Sequence, residues 1–474
     1  MKNLNNLSLN GVSADLNSVN VGSATLSSLE ANINVSGEFK LGTTDAKGDV
    51  DFNIENAGTL NLGAITSSAG NASVIISSAT GAVNLGTVSA TKGNVTLNAG
   101  NTLGAVTLGN ISGDIVSVDL GGVLGAINSA SDNKVSITSN EVVYVGSEIS
   151  KNVVEITAVA GGTDLNAQVI GGADAADALT LKGAANTQNI IASGDLSGGT
   201  LTLTLTDATK LSSIDISGVQ GITGDVAIEL GKAVQGNKTD VSVQGSDANE
   251  TITYTSEAAL TDIKISGDLG AGANSIIITP DVAAAALKTI DLSELSATGG
   301  TLEGTITHNA AQVALTTIKG SAGNDTITIG KANAGLTVTG GEGNDTFIVT
   351  AAKIVTEATP EHTTITDFSA GDKITFAASV TKYGNVGTVE GGDLAAAITA
   401  ALLLTDKAPG ITTADQATTV YGFTWNNDNY LFYNAADGSA SAAITDVVVK
   451  LAGTAGTTVD LDSLTVSTND IVFA

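Results

Sequence analysis

Two glycine-rich loops with the same spacing contain the residues best suited to chemistry. Residues 320–327 read Gly-Ser-Ala-Gly-Asn-Asp-Thr-Ile, and residues 340–347 read Gly-Gly-Glu-Gly-Asn-Asp-Thr-Phe. Asp325 and Asp345 therefore occupy equivalent positions, and the interval between them suits one turn of a solenoid. Glycine allows backbone conformations that turn carbonyl oxygens toward one point, and aspartate adds a hard carboxylate oxygen. Because Ca²⁺ binds about 6–8 such oxygens, the loops predict calcium binding.

One loop alone supplies too few oxygens, so the spacing predicts two loops stacked on successive coils of a parallel β-solenoid. Both loops follow the calcium-binding nonapeptide pattern Gly-Gly-x-Gly-x-Asp-x-apolar-x, except that Ser321 replaces the second glycine of the first loop. The predicted metal ligands in these loops are Gly320, Ala322, Asn324, Asp325, Gly340, Glu342, Asn344 and Asp345.

Weaker copies of the loops occur earlier in the chain. Residues 172–179 align with residues 245–252 at an offset of 73, and residues 245–252 align with residues 320–327 at an offset of 75. We predict Asp247 as a further calcium ligand, and Asp177 and Glu250 are candidates, although these acids could instead only solvate the corners of the coils.

A related element follows the two loops. Residues 363–376 read Thr-Thr-Ile-Thr-Asp-Phe-Ser-Ala-Gly-Asp-Lys-Ile-Thr-Phe. Asp367 and Asp372 either ligate a last ion or cap a turn, and Asp367 completes the predicted set of metal ligands.

The composition limits the classes of function. The 474 residues contain 19 Lys, no Arg and 48 Asp plus Glu, for a net charge of −29. So acidic a chain disfavours nucleic acid and anionic membrane surfaces as partners and favours divalent cations. Cys is absent, which excludes disulfides and thiolate metal sites.

An aliphatic residue followed by glycine recurs in the first part of the chain. The pairs start at Val21, Leu41, Leu62, Leu85 and Leu108, and the successive intervals are 20, 21, 23 and 23. A period of about 20 residues is typical of one turn of a β-helix. The alternative is a β-sandwich with a turn at about every 8–12 residues, but the constant register of the glycines favours the solenoid.

The sequence divides into three predicted segments of an all-β protein. Residues 1–170 form a β-solenoid with coils of about 20–23 residues, residues 171–376 form the calcium-binding solenoid, and residues 377–474 form a small β-rich cap. The cap contains one predicted helix at 393–407 and an aromatic hairpin at 421–433. Its final strands are predicted at 444–451 and 461–473.

Two kinds of hydrophobic segment are not recognised in the sequence. The first residues lack the apolar region of a cleaved signal peptide. The longest apolar run, 394–404, is too short to span a bilayer.

Motifs of common enzymes are also missing from the sequence. His308 and His362 are the only histidines, and neither belongs to a His-Glu-x-x-His zinc motif, so both are predicted in solvated loops. There is no Gly-x-Ser-x-Gly nucleophile elbow and no phosphate loop, and a chain without Arg lacks a residue that sugar-acid lyases use. We therefore expect that the protein is not an enzyme.

The paired loops, residues 365–372, the aromatic hairpin and the ending Asn-Asp-Ile-Val-Phe-Ala resemble the C-terminal part of RTX-type surface-layer proteins of Gram-negative bacteria. The resemblance covers roughly residues 171–474, and the earlier residues match in composition only. It implies an RTX-like solenoid with Ca²⁺ as cofactor, a type I exporter as partner and a secretion signal in roughly the segment 395–474.

The function that the resemblance implies is a structural subunit of a calcium-dependent crystalline surface layer, secreted without an N-terminal signal peptide. Its main partner would be itself, in a two-dimensional lattice. Lipopolysaccharide would be a further partner through an anchor, but we recognise no anchoring domain in this sequence. The alternative is a secreted RTX adhesin or biofilm-matrix protein.

Overall fold

A computed structural model shows a nearly all-β chain, with 59% of residues in strands and a parallel β-solenoid of about 12 turns. The predicted fold class is confirmed. The structure describes residues 6–10, 18–21, 24–99, 101–121, 123, 127–129, 134–146, 153–171, 177–231, 238–255, 260–281, 283–309, 312–330, 335–350, 362–376, 379–404, 411, 415, 418–433, 447–453 and 458–473.

The chain folds into two compact units. The first comprises residues 1–229 and 244–250, and the second comprises residues 230–243 and 251–474. The predicted division into three segments at residues 170 and 376 stays a prediction.

In chain order, the first 25 strands are β1 (Asn6–Asn10), β2 (Ser18–Val21), β3 (Ala24–Leu26), β4 (Leu29–Leu41), β5 (Thr44–Ala46), β6 (Val50–Leu62), β7 (Ile65–Ser67), β8 (Ala72–Ile76), β9 (Ser78–Ala79), β10 (Val83–Leu85), β11 (Val88–Ala90), β12 (Val95–Asn98), β13 (Asn101–Thr102), β14 (Val106–Leu108), β15 (Ile111–Ser112), β16 (Ile115–Asp119), β17 (Ile127–Ser129), β18 (Val135–Thr138), β19 (Glu141–Val145), β20 (Val153–Thr157), β21 (Asp164–Ile170), β22 (Ala178–Lys182), β23 (Asn189–Thr204), β24 (Ser213–Ile222) and β25 (Asp225–Leu230).

The leucine series found in the sequence forms one buried column in the first unit. Leu41 pairs with Leu62, Leu62 with Leu85 and Leu85 with Leu108, each on a neighbouring parallel strand. All four side chains are buried. The predicted coil period is confirmed, because the leucines of successive intervals lie directly above one another.

Glycine follows each of these leucines because the coils approach closely at that corner. A Cβ atom on Gly86 would lie 2.7 Å from the carbonyl carbon of Gly63, and a Cβ on Gly109 would lie 2.6 Å from that of Gly86. Real Cβ contacts are essentially never that short. Stacked backbone therefore fills the space that a side chain would need.

The later strands are β26 (Lys238–Gln244), β27 (Asn249–Thr255), β28 (Asp262–Asp268), β29 (Ala273–Thr279), β30 (Thr289–Asp291), β31 (Leu295–Ser296), β32 (Thr301–His308), β33 (Thr317–Lys319), β34 (Asn324–Ile329), β35 (Thr337–Thr339), β36 (Thr346–Val349), β37 (Thr363–Ile365), β38 (Lys373–Phe376), β39 (Lys382–Thr388), β40 (Thr419–Trp425), β41 (Asp428–Tyr433), β42 (Val447–Leu451), β43 (Leu464–Ser467) and β44 (Asp470–Phe473).

Two parallel sheets form the solenoid of the second unit. Sheet 1 contains β28, β30, β33, β35 and β37, and sheet 2 contains β29, β32, β34, β36 and β38 together with residues 251–255 of β27. Along each strand, buried and outward positions alternate, as in β32 and β34. Isoleucine, valine and phenylalanine fill most inward positions and form the core.

The C-terminal region contains the helix and the hairpin that the sequence predicts. Helix α1 (Leu394–Leu403) begins after Asp393, whose carboxylate accepts the Ala396 N–H at 2.7 Å. The predicted helix extended to 407, but residues 405–407 lie outside the described residues. A 3₁₀ turn spans Leu461–Ser463. Strands β42 and β44 pair with the last solenoid strands β37 and β38.

The hairpin brings the aromatic residues of this region together. Strands β40 and β41 pair antiparallel across Asn426 and Asn427, which both have positive φ as two-residue hairpin turns require. Trp425, the only tryptophan, is half-buried against the core below α1, and its indole Nε1 donates to the carbonyl of Gly391 at 3.1 Å.

One histidine differs from expectation. His308 lies at an inward position of β32 and is 1% exposed, so the prediction that it occupies a solvated loop is wrong. His362 is half-buried, and its ring centroid lies 5.9 Å from that of Tyr430.

We expect Gly86→Ala to lower the free energy of unfolding by about 1–3 kcal/mol, because the new methyl group forces two coils apart. Urea denaturation measures the change. Gly161→Ala is the matched control, since no atom lies within 4 Å of a Cβ there. That change should stay within about 0.5 kcal/mol. Equal stability of the two variants would contradict the close stacking of the coils.

Candidate metal centre

The two glycine-rich loops lie on successive coils of the second unit. Strand β34 follows the first loop and β36 follows the second, and Ile327 pairs with Phe347. In the next coil, Phe347 pairs with Ile374 of β38. The loops and the later element therefore start neighbouring strands of sheet 2.

Three buried carboxylates stack where these strands begin. Asp325, Asp345 and Asp372 are only 1%, 2% and 2% exposed. The Asp325 N–H donates to the Asp345 carboxylate at 2.9 Å, and the Asp345 N–H donates to the Asp372 carboxylate at 2.8 Å. We call these three residues the acidic column. The carboxylates of Asp345 and Asp372 thus each link their own coil to the preceding coil.

Serine residues fix two of the three carboxylates. Ser321 donates its N–H at 2.6 Å and its hydroxyl at 3.0 Å to Asp325. Ser369 donates to Asp372 in the same way, at 2.7 Å and 3.1 Å. The serine that departs from the nonapeptide pattern therefore orients the aspartate of its own loop.

Asp345 lacks such a serine, because Gly341 stands four residues before it and Glu342 three residues before it. The N–H groups of Gly340 and Gly341 donate instead to Asp367, at 2.9 and 2.8 Å. Asp367 therefore binds the backbone of the second loop. The Gly340 and Gly341 N–H groups do not offset the charge of Asp345.

Glycine also makes room for the carboxylates. A Cβ at Gly304, which pairs with Asp325 one coil earlier, would lie 1.8 Å from an Asp325 carboxylate oxygen. A Cβ at Gly340 would lie 2.0 Å from an Asp345 carboxylate oxygen. Larger residues at these positions would displace the acidic column.

Burial makes the acidic column electrostatically unfavourable as three anions. Loss of solvent raises the pKa of Asp325 to about 6. Burial, followed by repulsion from Asp325, Asp372 and Asp367, raises the pKa of Asp345 to about 8, although its bond from the Asp325 N–H opposes the shift. Burial also raises the pKa of Asp372.

Lysine does not compensate these charges in the described part of the chain. Lys319 pairs with Asp291 at 2.8 Å, and Lys373 pairs with Asp470 at 3.7 Å. No ion pair among the described residues includes a member of the acidic column. Buried anions of this kind need protonation, donors or a bound cation.

The other predicted ligands lie around the column at different depths. Gly320 is buried beside Asp325, whereas Ala322, Glu342 and Asn344 are exposed. The Asn344 N–H donates to the side-chain oxygen of Asn324 at 2.8 Å, which links the exposed rims of the two loops.

The structure does not bring Asp247 into this group. Asp247 is exposed, and the buried acid of its loop is Glu250, which accepts the Ser246 N–H at 2.8 Å. Burial raises the pKa of Glu250 to about 7. Ser246 and Glu250 thus repeat the local geometry of Ser321 and Asp325. Asp177 is also buried, beside Gly171.

The types of ligand atom in the loops decide which cation they can bind. Carboxylate, amide and backbone carbonyl oxygens are available, which are ligands for Ca²⁺ rather than for zinc. In the ranges that the structure describes, no three His, Cys, Asp or Glu side chains converge as a metal cluster. The carboxylates instead accept N–H groups along the column. The oxygen ligand types and the uncompensated charge are therefore compatible with a hard cation such as calcium.

Sequence reasoning missed part of this arrangement. It left Asp372 open between a ligand and a cap, although its side chain completes the column. It also gave no role to Ser321, Ser369 or Gly304. A serine three or four residues before a buried acid is the signal that could have identified them, since short hydroxyl side chains bind local polar groups.

Comparisons with known proteins do not identify the chain: no family model matches it, and no curated protein matches its sequence. Among the described helices, none is long and apolar enough to cross a membrane.

In the absence of calcium, we expect stability to fall as the pH rises from about 4 to about 8. The native pKa of Asp345 is about 8, above the usual value near 4, so the native state binds the extra proton in this range. Thermal melts in chelator should show the highest Tm near the acidic end.

Asp345→Asn should remove part of this pH dependence and raise the Tm near pH 8, because the amide carries no charge and can still accept the Asp325 N–H. Asp207→Asn, at an exposed acid away from the buried carboxylates, is the control and should leave the profile unchanged. A wild-type Tm that rises with pH would contradict the buried charge.

Proposed function

We propose that the protein is a structural subunit that self-assembles into a calcium-dependent surface layer outside the cell, after export by a type I system. The acidic column carries this proposal. Buried carboxylates without lysine partners are costly until a cation or protons neutralise them, and calcium is abundant outside cells. The sequence resemblance to RTX-type surface-layer proteins supports the same conclusion.

The residues proposed to hold calcium are Asp325 and Asp345 with the carbonyl oxygens of their two loops. Asp367 and Asp372 are proposed to contribute from the third coil. When bound, the ion would supply positive charge between stacked carboxylates. The solenoid fold is compatible with this role and with other RTX-like proteins.

Calcium binding of this type makes folding depend on whether the protein is inside or outside the cell. An ion that binds only the folded state stabilises it by about 4 kcal/mol when its concentration is about 1,000 times the dissociation constant. We propose that the second unit stays loosely folded at low intracellular calcium and folds outside. The charge of −29 adds to this effect, because its self-repulsion opposes compaction until ions bind.

Structural function is proposed ahead of enzymatic function. The acids described in the centre are tied to backbone N–H groups, and the motifs of zinc, serine and thiol catalysis are missing from the sequence. An adhesin would share the same calcium-dependent solenoid, so assembly is the property that separates the two functions.

We expect calcium at about 1 mM to raise the Tm of the wild type well above its value in chelator, with each kcal/mol giving about 2–4 °C for units of this size. Asp345→Asn should lose most of the increase. Asp207→Asn, at an exposed acid outside the predicted loops, is the control and should keep it. The same Asp345→Asn variant that gains stability in chelator thus loses the response to calcium. An unchanged melting curve on adding calcium would refute the ion's role.

Assembly gives the second test. Purified protein dialysed into calcium should form two-dimensional sheets in negative-stain electron microscopy, and chelator should disperse them. Calcium-stabilised soluble particles that bind cells or glycans, without forming sheets, would support the adhesin instead.

A further inference from the structure

The outward face of sheet 2 carries a regular array of threonines. Strands pair in register, so the outward residues form two straight columns across six strands. The first column is Thr253, Ile277, Thr305, Thr326, Thr346 and Lys373, and the second is Thr255, Thr279, Thr307, Thr328, Ile348 and Thr375. We call these twelve positions the threonine face.

The threonine face is accessible and almost without charge. Its residues are half-buried or exposed, and Ile277 is 37% exposed. Lys373, on the last strand, is the only charged member. In the described part of the chain, the hydroxyls of Thr305, Thr326 and Thr328 make no hydrogen bond. These groups are therefore available to a partner.

Sheet 1 of the same unit provides the contrast. Its outward columns also contain threonines, including Thr317 and Thr337, which pair with each other. Charged residues stand beside them, and Lys319 forms its ion pair with Asp291 on this sheet. On sheet 2 the charged groups lie at the margins of the threonine face, with Glu303 two residues before Thr305 and the Lys373–Asp470 ion pair on the last strand, whereas on sheet 1 they stand among the threonines.

We propose that the threonine face is a contact surface for the same face of a second copy of this chain. The charge balance favours this partner. Two chains that each carry −29 repel one another over most approaches. At the threonine face they can meet without placing carboxylates opposite carboxylates.

The spacing of the face also favours a second copy. Its strands repeat at about 4.8 Å, and its two columns lie about 7 Å apart. A second copy has the same repeat, so methyl and hydroxyl groups can interdigitate along the full length when the sheets face each other at about 10 Å. A twofold axis through the face, between Thr305 and Thr326, would make the contact closed. A partner surface whose side chains repeat at a different spacing would match the threonine face at only a few strands.

The size of the face predicts a weak contact. Six strands at about 4.8 Å and two columns give a projected area on the order of 300 Å². Stable interfaces bury about 800 Å² on each partner. The dimer should therefore form only at high concentration in solution, and repeated contacts would strengthen it in an ordered array.

The contact is measured by sedimentation velocity in calcium, on the protein that stays soluble after any sheets are pelleted, from about 10 µM to about 1 mM. Wild type should associate reversibly over this range. The double change Thr305→Glu with Thr326→Glu should weaken association by about tenfold or more, since it places like charges across the contact. Thr317→Glu with Thr337→Glu, on sheet 1, is the matched control and should associate like the wild type. Wild type that stays monomeric at the highest concentration, or equal weakening by both pairs, would overturn the proposal.

Cysteine variants test the same contact without added charge. The chain contains no cysteine, so a single Thr326→Cys reports only its own neighbours. Under mild oxidation it should form disulfide dimers about tenfold faster than Thr317→Cys at equal concentration. Equal rates would contradict the proposed face, even if the glutamate variants did not fold.

This inference deepens the proposed self-assembly and rests on it only for its place in a layer. The two fail differently. Sheets that form equally well from the glutamate variant would leave the layer standing and remove this face. If the glutamate variant on the threonine face loses the dimer while the wild type forms no sheets, the contact surface is supported and the surface layer is not.

Discussion

The register between neighbouring coils is the constraint on which the rest of the structure depends. Backbone hydrogen bonds between parallel strands fix each residue above its equivalent in the next coil. Because side chains alternate between the two sides of a strand, a slip of one residue would exchange the core and the surface. The stacked leucines, the stacked glycines and the stacked acids are all consequences of this single registration.

The same alternation explains why lysine cannot neutralise the acidic column. Lys373 follows Asp372 directly in the chain, yet one side chain is outward and the other inward. Moving the ammonium group inward would require the strand to slip. Lys373 is therefore next to Asp372 in the sequence but lies on the opposite side of the sheet. Protons or a cation from solution must act in its place.

Much of this fold could be predicted from sequence, because repeats make register visible. The leucine–glycine period predicted the first column, and the repeated loop spacing predicted stacked loops. The same reasoning failed where successive coils differ in length. The interval from Asp345 to Asp372 is longer than that from Asp325 to Asp345, so no period indicated that Asp372 joins the column. The prediction for His308 was wrong because this residue belongs to no repeat. The sequence pattern therefore did not indicate that its side chain points inward from a strand. Whether calcium binds between the coils depends on carbonyl directions that composition does not encode.

Trp425 gives the chain an unusual optical property. A single indole, held against the helix of the C-terminal region, is the source of all tryptophan emission from 474 residues. Tryptophan fluorescence therefore reports the folding of the C-terminal region alone, while circular dichroism reports the strands of the whole chain. Comparing the two signals in time would show whether the C-terminal end orders before the coils or after them.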